Sequence, residues 1–252
     1  MENRFTIGAV LGTGFKIWFK NLPAFLLITL VVYIPLIIWG VQIAHGEMSF
    51  AKLHQFDQYS GLAVMLLNIF AAAAITYGVV MELQGQHAGI GACFATGLSR
   101  FFPVLGVAIL SGICIGLGLL LLVVPGIIVF CMLYVSTPAA VLERPGITGA
   151  LGRSKELTKG HKLEIFGLLF LVGLINLGLS YLAQELIVKA GTVDSSITDF
   201  DVAAIVRRYM YVQLVLNVII GSLGAVMQAV AYYYLRNEKE GTSANELARI
   251  FD

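Results

Sequence analysis

Residues 101–142 read FFPVLGVAILSGICIGLGLLLLVVPGIIVFCMLYVSTPAAVL and contain no charged side chain. As a single α-helix this stretch would be about 63 Å long, roughly twice the ~30 Å hydrocarbon core of a bilayer. Pro125 cannot continue a helix, and Gly126 tolerates the backbone geometry of a turn. The stretch therefore predicts two membrane-spanning helices, with the helix break at Pro125 and Gly126.

The composition of the whole chain is that of a membrane protein. Hydrophobic residues make up 58% of positions and charged residues 12%, whereas charged residues occupy about a quarter of a typical soluble domain. No linker or block of charge divides the sequence, so residues 1–252 are predicted to form a single integral membrane domain. The net charge of +1 provides no basic surface for DNA or RNA, and we expect no nucleic-acid partner.

The residue types that carry catalysis or hold metals are scattered along the chain. The three cysteines are isolated, and the four histidines fit neither H-x-x-x-H nor H-E-x-x-H spacing. No Ser/His or paired-Asp constellation falls within the apolar segments. We therefore expect no catalytic residue, no metal site and no cofactor, and an intramembrane enzyme is disfavoured.

Hydropathy predicts an all-α polytopic protein with six spans, and the distribution of Lys and Arg predicts its orientation. The spans are expected at about 24–44, 61–83, 104–123, 126–142, 165–187 and 209–235. Twelve Lys and Arg residues fall in the segments on the side of the two termini, and four fall on the other side. Because positive residues are retained in the cytoplasm, both termini are predicted to be cytoplasmic.

A threefold repeat is predicted from matching segments ahead of each pair of spans. Gly8 and Ala9 recur as Gly91 and Ala92, and a fainter copy begins near Gly149. Each unit would be a short amphipathic interfacial helix followed by a transmembrane hairpin. The units would cover residues 5–83, 88–142 and 147–235. The alternative is chance agreement between segments rich in Gly and Ala.

A short helix is also expected at the C-terminus, over residues 243–251. Ser243 and Glu246 have the spacing of a capping box, which marks the start of a helix. This helix would lie in the cytoplasm, where it could dock on the bundle or on a partner.

Four cations in the third predicted interfacial segment are candidates for lipid headgroup contact: Arg153, Lys155, Lys159 and Lys162. Basic residues beside the cytoplasmic leaflet attract anionic phospholipids at roughly 1 kcal/mol each. The alternative interpretation is ordinary anchoring by positive residues, which most membrane proteins have.

Four polar residues are predicted to lie within the spans: Asn68, Asn176, Asn217 and Gln228. Such side chains usually connect helices by hydrogen bonds, and they could instead line a polar cavity. Gly112 and Gly116 have the spacing that lets helix backbones approach closely, within the bundle or against a partner chain.

Part of the sequence resembles a bacterial family. The resemblance is carried by Leu122 to Ile128, then Pro138, Val141, Gly146, Arg153, Ser154, Leu157 and Thr158, and at the tail by Tyr232 to Arg236, Lys239, Glu240 and Gly241. These segments resemble the YciC-type inner-membrane proteins and the membrane domain of some glycerophosphoryl diester phosphodiesterases. The resemblance implies a six-span protein of the bacterial inner membrane. It implies no activity, because the catalytic barrel of the phosphodiesterases has no counterpart in this sequence.

Two functions are compatible with these features. The first is a non-catalytic membrane protein that organises or binds phospholipids, a partner membrane protein or further copies of itself. The second is a transporter or channel for a lipid-like or small solute, which repeats and proline-bent spans favour. A polar cavity that reaches the middle of the membrane would favour the second function.

Overall fold

The computed structural model of the chain describes residues 4–45, 50–192 and 202–251, and the regular secondary structure in these ranges is helical. The helices are α1 (Ile7–Lys20), α2 (Leu22–His45), α3 (Phe50–Leu83), α4 (Ile90–Leu121), α5 (Val123–Met132), α6 (Ser136–Leu142), α7 (Gly146–Leu157), α8 (Lys162–Thr192) and α9 (Val202–Phe251).

The described residues contain six segments long and apolar enough to cross a membrane. They are Leu22–Gln42, Gln58–Leu83, Ile90–Leu121, Val123–Leu142, Lys162–Leu182 and Tyr211–Gly241. The prediction of an all-helical, multi-pass membrane protein is confirmed at this level.

Helix α9 forms the centre of the bundle. It contacts α1, α2, α3 and α8, and the side chains from Val226 to Tyr232 are fully buried except for Gln228. Helix α8 lies at the periphery, and only 11% of its membrane-spanning window is buried. An apolar helix exposed in this way is suited to contact with lipid.

Helix α1 runs antiparallel to α9 rather than standing apart from the bundle. Thr6 caps its first turn by accepting a hydrogen bond from the Ala9 N–H at 3.2 Å. The Trp18 indole donates to the Ser222 hydroxyl at 3.1 Å, and the Thr13 and Tyr234 hydroxyls are 3.0 Å apart. Because the later residue of α1 meets the earlier residue of α9, the helices run in opposite directions.

The second predicted interfacial helix does not exist as a separate element. The unit over residues 88–142 was expected to begin with a short helix ahead of the span at 104–123, but α4 is continuous from Ile90 to Leu121 with Pro103 inside it. One proline removes one backbone hydrogen bond, and no residue near it provides a turn. The second predicted unit therefore has no separate leading helix, whereas α1 and α7 are separate helices at the start of the first and third predicted units.

The turn between spans three and four lies earlier than predicted. Leu122 joins α4 to α5 and has an extended backbone, with φ −166° and ψ 152°. Pro125 is in the first turn of α5, where a backbone N–H is not required. Gly126 is helical and allows close packing, since a Cβ on this residue would be 2.8 Å from the backbone nitrogen of Leu119. The expected break at Pro125 and Gly126 is therefore wrong by three residues.

Two further differences concern helix ends. The fourth span is not one helix, because residues 133–135 interrupt it between α5 and α6. The predicted separate helix over residues 243–251 is instead the continuation of α9, which runs to Phe251. No proline precedes Ser243 in this region, and Gly241 is tolerated within a helix at a cost of about 1 kcal/mol.

Candidate functional site

One end of the bundle brings together the end of α6, all of α7, the start of α8 and the segment of α9 from Tyr232 to Glu240. We call it the α7 end. Helix α7 is fixed to the bundle by a buried stripe of Ala150, Ser154 and Leu157. The Ser154 hydroxyl donates to the Met132 carbonyl at 2.8 Å, and the Thr158 hydroxyl donates to the same oxygen at 3.3 Å. Helix α7 is therefore a fixed platform rather than a loosely attached surface helix.

Arg153 is held within the protein by two carboxylates. Its Nε lies 2.8 Å from Glu143 Oε2, and its second terminal nitrogen lies 2.5 Å from Glu240 Oε1. The Arg153 side chain is 24% exposed. Burial alone would lower the pKa of its guanidinium, but hydrogen bonds and charge from Glu143 and then Glu240 outweigh this effect and raise the pKa.

The same network includes α9. The Tyr232 hydroxyl donates to Glu143 Oε1 at 2.6 Å, and Arg236 Nε donates to Glu240 Oε2 at 2.9 Å. The positive charge of Arg153 is thus neutralised by side chains of its own protein. Arg153 was expected to contact lipid headgroups together with three lysines, and in the structure its guanidinium contacts Glu143 and Glu240.

The three lysines of the predicted site are exposed: Lys155, Lys159 and Lys162. They form no ion pair with any residue of the described ranges. We call these three residues the lysine surface. The Lys159 backbone carbonyl accepts a hydrogen bond from Lys239 Nζ at 2.9 Å, so the position of this turn is fixed by α9.

An apolar surface begins directly beside the lysine surface. Leu163 is 85% exposed on the first turn of α8, and Phe166 and Phe170 follow on the same helix at 43% and 57%. Their spacing of three and four residues places them on one side of α8. A cation next to exposed apolar side chains matches the boundary between phospholipid headgroups and acyl chains.

His161 was not singled out by the sequence, yet it connects three elements at this end. Its Nδ1 lies 2.9 Å from Glu164 Oε2, and its Nε2 lies 3.4 Å from Glu238 Oε1. Glu238 also accepts a hydrogen bond from the Phe5 N–H at 2.6 Å. These contacts fix the chain ahead of α1 and the start of α8 to α9, and so they also hold Lys162 in place.

The four polar residues of the spans are not brought into one site. Asn68 accepts a hydrogen bond from the Tyr33 hydroxyl at 3.0 Å, and Asn217 donates to the Gln213 carbonyl of its own helix at 2.8 Å. The buried Oδ1 of Asn176 has no hydrogen-bond partner. Only Asn68 and Gln228 connect different helices among these residues.

Gln228 closes the break in the fourth span. Pro138 has no N–H to donate to the carbonyl of Tyr134, four residues earlier, and this carbonyl accepts a hydrogen bond from the Gln228 side chain. The Leu133 carbonyl in the same break accepts from the Ser136 hydroxyl at 2.7 Å. Ser154 and Thr158 donate to the Met132 carbonyl. The carbonyls of Met132, Leu133 and Tyr134 at the break therefore all accept a side-chain hydrogen bond, as a lipid environment requires.

The flank of the bundle contains a groove of about 470 Å³ between α3, α4 and α6. Asn68 is in its wall, and the other lining residues are mostly small or aliphatic. The groove is open along one side. It is therefore a lateral recess, and it does not bring Asn68, Asn176 and Gln228 together as a transport pathway along the spans would.

Comparisons of the chain with protein-family models, with curated proteins and with solved structures find no match. The resemblance to the YciC-type proteins is therefore still a prediction.

Proposed function

We propose that this protein is a non-catalytic protein of the bacterial inner membrane that binds and organises anionic phospholipids at its α7 end. Both termini would lie in the cytoplasm, as the distribution of Lys and Arg predicts. The bacterial location is taken from the resemblance to the YciC-type proteins. Pairing of the spans as three hairpins belongs to the same proposal, and contacts of α2 with α3, α4 with α5 and α8 with α9 support it.

The observation that carries the proposal is the lysine surface on a fixed platform. Lys155, Lys159 and Lys162 are exposed while the neighbouring Arg153 is neutralised by Glu143 and Glu240. Each lysine can contribute roughly 1 kcal/mol of attraction to an anionic leaflet. The exposed apolar side of α8 provides contact for the acyl chains of the same lipids.

The proposal is tested by the preference of the reconstituted protein for anionic lipid. The variant K155Q/K159Q/K162Q is reconstituted with spin-labelled phosphatidylglycerol or spin-labelled phosphatidylcholine, and the motionally restricted fraction of each lipid is measured. We expect the preference for phosphatidylglycerol to fall at least about fivefold, the ratio that corresponds to roughly 1 kcal/mol and so to the contribution of one of the three lysines. Thermal unfolding should be unchanged, since none of the three lysines is buried.

The matched control is K155R/K159R/K162R, which keeps the three charges at the same positions. This variant should retain the preference. If the glutamine and arginine variants associate equally with phosphatidylglycerol, the lysine surface does not recognise anionic lipid and the proposal is wrong.

A transporter of a lipid-like solute is the second candidate, and one observation favours it. The lateral groove reaches Asn68, which lies about 15 Å along the second span from its start at Gln58. Against this candidate, Gln228 is used to close the break in the fourth span. Uptake of a labelled fatty acid into vesicles that contain the protein, absent from protein-free vesicles, is the measurement that would establish this function.

A further inference from the structure

The lateral groove is a recess between three helices that is open along one side. It is lined by Gly61, Asn68 and Ala72 of α3, by Val104 and Ala108 of α4, and by Thr137 of α6, among others. From Gly61 to Ala72 it follows α3 for about 16 Å. Its volume is about 470 Å³.

The surroundings of the groove determine what can fill it. It lies between membrane-spanning segments, and its wall is mainly apolar. An apolar recess of this kind is a poor site for water, which requires several polar partners. The molecules that can enter from the open side are those of the bilayer itself.

Two polar groups in the wall lack partners. Asn68 Oδ1 accepts from Tyr33, and it fits against α9 only because residue 221 is glycine, where a Cβ would be 2.9 Å from this oxygen. The amide nitrogen of Asn68 and the hydroxyl of Thr137 make no hydrogen bond within the described ranges. Unpaired donors are costly in hydrocarbon, so a bound molecule with an acceptor would be stabilised here.

We propose that the groove binds a fatty acyl molecule without a charged headgroup, with its carbonyl oxygen accepting hydrogen bonds from Asn68 and Thr137 and the part of its chain nearest the carbonyl lying along α3. A phospholipid at rest keeps its ester groups at the membrane interface, whereas Asn68 lies about 15 Å along its span. The ligand is therefore an uncharged single-chain lipid, such as a protonated fatty acid. This inference does not depend on the lysine surface, and it specifies the ligand class for the transporter alternative.

The test is photolabelling of the full-length protein in nanodiscs. The probes are a fatty acid with a diazirine in its chain and a phosphatidylcholine that carries the same photoreactive chain, and labelled peptides are mapped by mass spectrometry. We expect the fatty acid to label the groove segments 61–72 and 104–108. In A108F, which fills the groove, this labelling should fall at least about threefold.

Matched variants separate binding in the groove from ordinary lipid contact. I109F adds the same ring at the adjacent position, which is 49% exposed on α4, and should leave labelling unchanged. T137V keeps the shape of the side chain and removes a hydroxyl that no described residue uses. It should lower labelling about threefold when the fatty acid probe is below the concentration that saturates the groove. Thermal unfolding establishes that each variant is folded.

Three outcomes would overturn the inference. They are equal labelling of A108F and I109F, labelling of the groove by phosphatidylcholine but not by the fatty acid, and the absence of label in both groove segments. None of them bears on the phosphatidylglycerol preference of the lysine surface. The two proposals can therefore fail separately.

Discussion

Arg153 and Lys155 are two residues apart on α7, yet they have different environments. Arg153 contacts Glu143 and Glu240, whereas Lys155 is exposed. The difference arises because α7 buries the stripe of Ala150, Ser154 and Leu157, and Arg153 is adjacent to that stripe. The positive charge at this end of the bundle thus has a structural part and an exposed part.

The replacement R153Q should reduce the free energy of unfolding by about 1–3 kcal/mol. The variant loses charge-assisted hydrogen bonds to Glu143 and Glu240 and leaves these carboxylates without their cation. Partial exposure of the network places the effect below the range of about 3–5 kcal/mol found for fully buried pairs. Thermal unfolding of the purified protein in a mild detergent measures it.

The control for R153Q is K155Q, which removes the same charge from the same helix. Its free energy of unfolding should change by no more than about 0.5 kcal/mol, as expected of a surface substitution, and its melting temperature should be nearly unchanged. Equal melting temperatures for the two variants would show that the Arg153 network does not stabilise the fold.

The sequence could not distinguish these two cations. It placed Arg153 with the three lysines because all four share one short basic segment. The partner carboxylate Glu240 is 87 positions away in the sequence, and such a contact leaves no local pattern. Helical spacing could have indicated the difference, since Arg153 adjoins the apolar face of α7.

At the scale of the elements, the broken fourth span is held closed by α9. Pro138 leaves the Tyr134 carbonyl without its helical donor, and the Gln228 side chain replaces that donor. The two residues are 90 positions apart and act on one carbonyl group. Their effects on stability should therefore be coupled.

The substitution Q228M should reduce stability by about 1 kcal/mol, because the Tyr134 carbonyl then has no donor. The same substitution should cost less in a P138A background, where the alanine introduced at this position supplies a backbone N–H to that carbonyl. The coupling energy from a double-mutant cycle of thermal unfolding measures this difference.

The matched control is N217L on the same helix. Asn217 donates to the Gln213 carbonyl within α9, and this oxygen also has the regular helical position for a backbone donor, so its loss should cost little. An additive cycle, in which Q228M has the same effect with and without P138A, would contradict the proposed role of Gln228.

The spans were the part of the fold that could be predicted from the sequence. Uncharged length and hydropathy place the start of five spans within three residues of the segments in the structure, because lipid excludes charge over a fixed thickness, whereas the third segment begins at Ile90, 14 residues before the predicted start. The exact breaks were harder, since prolines are tolerated inside spans and at first turns. Pro103 continues a helix and Pro125 begins one, and only the residues before Pro138 form a break within a span.

At the scale of the whole molecule, the arrangement of the spans around α9 was not predictable. Hydropathy identifies which segments enter the membrane, but it does not show which of them contact each other. The groove illustrates this, because Gly61, Ala108 and Thr137 are distant in sequence and meet only in the folded bundle. Of the four cations predicted to contact lipid headgroups, Lys155, Lys159 and Lys162 are exposed and Arg153 is half-buried, and their contact with lipid stays a prediction.

The central claim is that the chain crosses the membrane six times with the α7 end in the cytoplasm. Its most direct test is labelling by a membrane-impermeant maleimide in a cysteine-free background that carries either V124C or K159C. Val124 is 65% exposed beside the turn at Leu122, and Lys159 belongs to the lysine surface. We predict that V124C is labelled in intact spheroplasts and K159C only after lysis; labelling of both residues before lysis, or the reverse order, would contradict the account.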